Sequence, residues 1–273
     1  MKPFFTVIIP TLNEEQFLPR LLSDLARQKK RNFVVIIIDG KSQDKTKTII
    51  KSFMKQLPIS FYEMSPNLSA QKNFGGFNAK TEYCIFLDAD MSVSSTFTRD
   101  AEKQVRHKKG FIFQPYVFPL EKKEFPDIYF VFPLVNKLAE FSQNFNKPFS
   151  GGPAMIWEKS AFKQIGGFDD IFGEDHQIIR KAHRWGLRPK FLPSLRIKFS
   201  LRRMKKEGKF KLSYHTFITH LYLLFNERFK SDVFTYIMGG QIYNGEKRQE
   251  NEQLFEIAVK KIKKAFKTFL LEE

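Results

Sequence analysis

The sequence predicts an α/β protein built on a mostly parallel central sheet flanked by helices, with a helical C-terminal extension. Three observations carry that expectation. Short β-rich runs alternate with helix-like segments as far as Asp88. The first, second and fourth of these runs are continuously apolar, as strands covered by helices on both faces should be. Polar and acidic residues gather where the runs end, and that edge is where open α/β sheets collect ligands.

Taken in order, "FFTVIIP" is the first strand and "EEQFLPRLLSDLARQ" the helix that returns the chain. "FVVIIID" is the second strand, and "SQDKTKTIIKSFMKQ" the second helix, with Asp44 expected to cap its N-terminus. "ISFYEM", "NLSAQKNFGGFNAK" and "YCIFLD" supply a third strand, a third helix and a fourth strand. The carboxyl ends of the strands thereby receive Pro10, Thr11 and Asn13, then Asp39, then Asp88 and Asp90. Later, "GEDHQIIRKAHRWG" places Glu174 and Asp175 near the start of a helix, where the helix dipole alone favours acids. Trp185 is expected to pack that helix's end, with stacking on an acceptor as the alternative. "LRPKFLPSLRIKFS" reads as a further strand. Beyond it, "NEQLFEIAVKKIKKAFKTFLLEE" sets Phe255, Ala258, Val259, Ile262, Phe266 and Phe269 on one helical stripe beside lysines. Such a stripe suits core or a homodimer face, or else an anionic membrane surface.

Composition limits the function classes. With 273 residues, 42% apolar and 15% aromatic, the chain can bury a substantial core. Forty-six Lys plus Arg against 29 Asp plus Glu give +17, which favours a polyanion, a phosphorylated substrate or an anionic membrane. The basic residues are dispersed and no helix-turn-helix, zinc-finger or RNP pattern organises them, so no specific nucleic-acid partner is expected. The single cysteine, Cys84, excludes an internal disulfide, fits a reducing compartment and reads as inert strand packing. His215 and His220 are spaced unlike a metal pair on one helix face. The apolar run at the N-terminus is bracketed by Pro3 and Pro10 and is too short to span a bilayer, so a cytoplasmic start without a transmembrane helix is expected.

The pair Asp88 and Asp90 calls for more than turn formation. Two carboxylates at that spacing repel one another unless a cation or an array of donors neutralises them. Oxygen ligation suits Mn²⁺ or Mg²⁺, which bind through one or two protein carboxylates together with substrate phosphates.

Five blocks, "TVIIPTLNEEQFLPRLLSDL", "VVIIIDGKSQDKT", "LSAQKNFGGFNAKTEYCIFLDADM", "GGPAMIWEKSAFKQIGGFDDIFGEDHQIIRKAHRWG" and "SLRRMKKEG", resemble in that order the blocks of family 2 glycosyltransferases of the GT-A fold. The resemblance covers residues 4–208 and sets the expected domain at 1–208, with the extension at 209–273. It implies a Rossmann-like sheet and an inverting transfer of a sugar from a UDP- or GDP-linked donor. The acceptor would be the hydroxyl of a saccharide or lipid-linked glycan, in glycan, glycolipid or cell-envelope synthesis at the inner face of the membrane, with Mn²⁺ or Mg²⁺.

By the same resemblance Pro10, Thr11, Asn13 and Glu14 border the nucleotide, and Asp39 holds base or ribose. "IDGKSQD" has one acid fewer than the usual family pattern, which leaves the base open. Lys72 stands for a more usual Arg before Asn73 and is expected either to reach the uracil or a phosphate, or to be solvated. Asp88 and Ala89 lie near the ribose or a metal-bound water, and Asp90 is the direct metal ligand. Asp175 corresponds to the catalytic base, Glu174 is the second residue of the catalytic pair and mainly holds the helix start, and Arg180 braces the acids. Arg202 and Arg203 resemble paired arginines that close over the diphosphate. The competing classes are a catalytically inactive membrane adaptor with the same fold and a basic nucleic-acid-binding protein; retention of Asp39, Asp88, Asp90 and Asp175 weighs against both.

Overall fold

In the computed structural model, residues 2–152, 154–171 and 173–202 are described. The chain divides into two units, Met1–Leu201 and Arg202–Glu273. The expected C-terminal stripe, Arg203, His215 and His220 lie outside the described residues.

The first unit is an eight-stranded sheet in the order β3-β2-β1-β4-β7-β6-β8-β5. Its first half is the predicted one. β1 (Phe5–Thr11), β2 (Phe33–Asp39), β3 (Ile59–Glu63) and β4 (Tyr83–Phe86) are all parallel, joined by α1 (Leu18–Ala26), α2 (Thr46–Phe53) and α3 (Leu68–Asn78). The continuous hydrophobicity has its expected cause. Val7, Ile9, Val35 and Ile37 face one core with Leu21, Leu22 and Leu25 of α1, while Ile8, Ile36 and Ile38 face another with Trp157, Phe162 and Ile178. β3 is the edge strand and is exposed or half-buried along its length.

The second half is mixed, and little of it was predicted element by element. β5 (Met91–Val93) and β6 (Ile112–Pro119) flank α4 (Phe97–Lys108), and α5 (Pro126–Ser142) leads to β7 (Met155–Glu158), α6 (Lys159–Gln164), α7 (Glu174–Arg184) and β8 (Lys190–Phe199). β7 runs antiparallel to both β4 and β6, β5 is antiparallel to β8, and β6 and β8 are parallel. β8 and α7 match the strand and helix read from the sequence.

Two glycines bring α3 close to its neighbours, Gly75 to the sheet and Gly76 to α6. A Cβ on Gly75 would stand 2.4 Å from Ile8 Cγ2, and one on Gly76 2.3 Å from the Phe162 ring. The helix therefore lies directly on β1, and this sets the depth of the residues that precede Gly75 on α3.

α5 is unlike the other helices. Asn136 is buried and clamps it to β6, accepting from Val117 N (3.0 Å) and donating to Val117 O (2.9 Å). The opposite face is apolar and open: Phe130 is 68% exposed, Leu134 60% and Phe141 60%, with Val131, Val135 and Leu138 beside them. Among the described residues no helix is long and apolar enough to cross a membrane.

Candidate active site

The carboxyl edge of the parallel strands is organised around Asp39. The register pairs it with Thr11 across β1 and β2. It is fully buried, and its carboxylate accepts from Thr11 Oγ1 (3.0 Å), Ser42 N (2.7 Å) and Ser42 Oγ (2.5 Å). Ser42 Oγ in turn accepts from Asn13 N (2.8 Å), and Asn13 Oδ1 accepts from Gln43 N (2.8 Å). Asn13 has a φ of 53°, the left-handed region that asparagine tolerates better than most residues. The loop after β1 and the loop after β2 are thus one hydrogen-bonded unit with Asp39 as its hub. Pro10, Thr11 and Glu14 are buried in it, and Glu14 N donates to Thr46 Oγ1 (2.7 Å).

Asp44 does the work of a cap from one residue further out than expected. Lys45 occupies the N-cap position of α2, while the Asp44 carboxylate accepts from Thr46 N (2.9 Å) and from Glu15 N (3.0 Å).

Gln71 was not singled out from the sequence, yet it belongs to this edge. It is fully buried, and its Nε2 donates to Ile38 O (2.8 Å) and Thr11 O (3.1 Å), stitching the ends of β2 and β1. Its Oε1 has no hydrogen-bond partner. The available signal was position: Gln71 precedes Lys72 on the stretch of α3 that faces the sheet.

Lys72 departs from the solvated alternative. Its side chain is 1% exposed, and its ammonium points into the protein, 2.9 Å from Glu174 Oε1 and 3.7 Å from Asp88 Oδ1. The Phe168 ring lies beneath it with its centroid 5.3 Å away. Burial by itself disfavours the ammonium, but the facing carboxylates of Glu174 and Asp88 more than offset that and hold it charged. Glu174 is also buried, and desolvation moves its carboxyl above the ordinary carboxylate range, with Lys72 opposing. The position is therefore not that of a solvated lysine. It is an internal cation between the two acidic stations.

Those stations come from separate parts of the chain. Asp88, Ala89 and Asp90 form the turn between β4 and β5, fixed by Met91 N donating to Asp88 O (3.1 Å) and Ser200 N to Asp90 O (3.2 Å). Ala89 is buried, and both acids are partly exposed. Glu174 and Asp175 open α7 after Gly173, whose φ of 72° turns the chain into the helix. Asp175 Oδ1 accepts from His176 N (3.0 Å), within the first helical turn.

The loop before α7 is held by Asn73. Its amide forms a two-way clasp with Phe168, donating to the carbonyl (2.8 Å) and accepting from the N–H (2.8 Å). Gly167 is needed there: its φ is 66°, and a Cβ would stand 2.3 Å from Asn73 Oδ1. Asn73→Ala leaves two Phe168 backbone groups unpaired and is expected to cost about 1–3 kcal/mol in urea unfolding.

A third wall of the site also escaped the sequence. His176 Nδ1 accepts from Ser150 N (3.0 Å), and buried Gln114 donates to Ser150 Oγ (2.9 Å) and accepts from Gly151 N (3.2 Å). Arg180, expected to brace the acids, has its guanidinium near Pro148 O (3.4 Å) in the same loop. Trp185 does not pack the end of α7 tightly; it is 56% exposed. Cys84 is buried in β4 with its thiol pushed up to about 12 by desolvation, which makes it inert packing as expected.

The fold and this acid-lined edge define a nucleotide-sugar-transferase-like α/β domain. The chain belongs to glycosyl transferase family 2, whose model matches residues 6–166. It is 29% identical over 102 residues to the poly(ribitol-phosphate) β-N-acetylglucosaminyltransferase TarS of Staphylococcus aureus, a match covering 36% of this chain and 18% of TarS. It is 26% identical over 171 residues to a dolichyl N-acetyl-α-D-glucosaminyl phosphate 3-β-D-2,3-diacetamido-2,3-dideoxy-β-D-glucuronosyltransferase of Methanococcus voltae, covering 58% of this chain and 49% of that protein. The chain thus spans half or less of the length of these two relatives. S. aureus TarS 1-349 in complex with UDP-GlcNAc superposes with a TM-score of 0.59 at 18% identity, covering 73% of this chain and 58% of that one. The mannosyltransferase PcManGT from Pyrobaculum calidifontis, in complex with GDP-Man and Mn²⁺, gives 0.58 at 20%, covering 72% and 57%. The fold is therefore the GT-A fold that the sequence blocks imply.

Proposed function

We propose that this chain is an inverting, metal-dependent glycosyltransferase that moves a sugar from a nucleoside diphosphate sugar to a hydroxyl acceptor. The observation that carries this is the meeting of two acidic stations across Lys72: the Asp88–Asp90 turn at the carboxyl edge of the sheet, and the Glu174–Asp175 pair opening α7. Direct displacement needs both, one for the departing diphosphate and one for the acceptor's proton.

The donor side fits a hard divalent cation. Asp88 Oδ1 is buried without a hydrogen-bond partner, and no group of three or more metal-ligating side chains forms among the described residues. Asp90 and Asp88 would hold Mn²⁺ or Mg²⁺, leaving coordination places for phosphate oxygens and water. When bound, such an ion neutralises charge that builds on the leaving diphosphate. The hub of Thr11, Asn13 and Asp39 shapes the wall for the nucleoside. Asp175 takes the proton from the acceptor hydroxyl as it attacks the anomeric carbon, and Glu174 fixes the helix start.

The test is a panel of UDP- and GDP-sugars with Mn²⁺ or Mg²⁺, read as metal-dependent release of the nucleoside diphosphate and as a rise in Tm. Release from at least one donor is expected. A chain that neither turns over nor is stabilised by any donor defeats the proposal.

For the acceptor we favour a lipid-linked glycan at an anionic membrane. The M. voltae relative is named for a dolichyl phosphate substrate. The open apolar face of α5 is flanked by Lys122, Lys123 and Lys137, and the end of α5 runs into the acceptor-side loop: Phe149 N donates to Ser142 Oγ (2.9 Å), next to the Ser150–His176 bond. Leu134→Asp with Leu138→Asp is expected to lower cosedimentation with phosphatidylglycerol vesicles at least several-fold without changing donor release. Unchanged vesicle binding, or a shift in oligomeric state instead, removes the membrane from this face.

A further inference from the structure

Lys72 joins groups that the reaction must keep in register, and nothing in that reaction requires it as a ligand. It is the most deeply buried ionisable side chain between the two stations, 1% exposed against 9% for Glu174 and 29% for Asp88. Every group it meets belongs to a different element. Its own backbone is on α3, pressed against β1 by Gly75; Asp88 follows β4; Glu174 begins α7; and Phe168 lies on the loop that Asn73, the next residue of α3, clasps. A cation buried this way is costly unless each carboxylate is well placed, so the arrangement has one geometry of lowest energy. The same cation partly neutralises both acids in a site that also has to accept a diphosphate.

We propose that Lys72 is a positioning residue that locks the donor-side turn to the first turn of α7 and so fixes Asp175 relative to the sugar's anomeric carbon. The proposal rests on the glycosyltransferase reading of the site. It assigns Lys72 an internal role distinct from contact with the nucleotide: the ammonium pairs with Glu174, whose next residue in the chain is Asp175. Misplacing a reacting group by about 1 Å can cost on the order of 10²-fold in rate, which sets the scale of the effect.

The experiment is a double-mutant cycle on the full chain with Lys72→Met, Glu174→Gln and the pair together. Donor release or transfer is measured at a temperature where circular dichroism shows each variant folded, and the dissociation constant of UDP with Mn²⁺ is measured alongside. Each single variant is expected to lose about 10²-fold in kcat, with the nucleotide dissociation constant changed only a few-fold. The double variant is expected to lose no more than the worse single one, because residues acting as a unit are not additive. Removing both buried charges also keeps the core compatible with folding. If Lys72→Met alone does not fold, the comparison of Glu174→Gln with the double variant still decides. A double loss near the product of the two singles overturns the proposal, as does Lys72→Met with near-normal kcat, or a loss carried wholly by weaker nucleotide binding. A wild-type chain inactive on every donor would instead overturn the reaction reading, and is recognised before any variant is compared.

Discussion

Asp175→Asn is expected to lower turnover by about 10²- to 10⁴-fold while leaving donor affinity nearly unchanged, the range typical for removing a positioned general base. Asparagine keeps the shape of the side chain and its bond from His176 N, so the first turn of α7 should persist. Only basicity is lost. The environment suits that role: Asp175 is partly exposed, whereas its neighbour Glu174 is 7% exposed and bound to Lys72. Of the two acids, Asp175 is the one an acceptor hydroxyl can reach. Glu174→Gln should therefore act through position, and cost less than the upper end of the Asp175→Asn range. The anomeric configuration of the product is the second readout. A single displacement with Asp175 as base inverts it; retention, or near-normal turnover by Asp175→Asn, would sink the mechanism but leave a nucleotide-sugar enzyme standing.

These roles show where the sequence was legible. β1, β2 and β4 were readable because burial on both faces leaves continuous apolar runs, and parallel topology then dictates that Thr11, Asp39 and Asp88 share one edge. The order of the sequence blocks supplied the family and both acid stations. What stayed hidden was decided by tertiary contact. Lys72 looks like any helical lysine in "SAQKNF", and its burial depends on how far two glycines let α3 sink onto Ile8 and Phe162. Gln71 and Gln114 carry no motif; each acts by bonding backbone groups distant in sequence. α5 was missed because its open apolar face and its buried Asn136 reverse the usual pattern of an amphipathic helix. In each case the deciding partner lies on another element of the fold.

Asp90→Asn is expected to abolish metal-dependent donor binding with the fold intact. Asp90 is partly exposed, and its turn is held by backbone bonds, Met91 N to Asp88 O and Ser200 N to Asp90 O, so the amide should not disturb β4 or β5. A neutral amide is a weaker partner for a hard cation than a carboxylate, and only one or two protein carboxylates are on offer here. For the wild type, UDP at about a hundredfold over its dissociation constant should add about 2.7 kcal/mol of stability, a Tm rise of roughly 5–10 °C for a domain of this size. That rise should require Mn²⁺ and should vanish in Asp90→Asn. Asp88→Asn makes the useful contrast, because Asp88 is also the second acid facing Lys72 at 3.7 Å. Its loss should lower the ligand-free Tm as well as the response to UDP. An Asp90→Asn chain that still gains Mn²⁺-dependent stability from UDP would remove Asp90 as the ligand, and the same gain without added metal would mean that the Lys72 cation and the backbone suffice for the diphosphate.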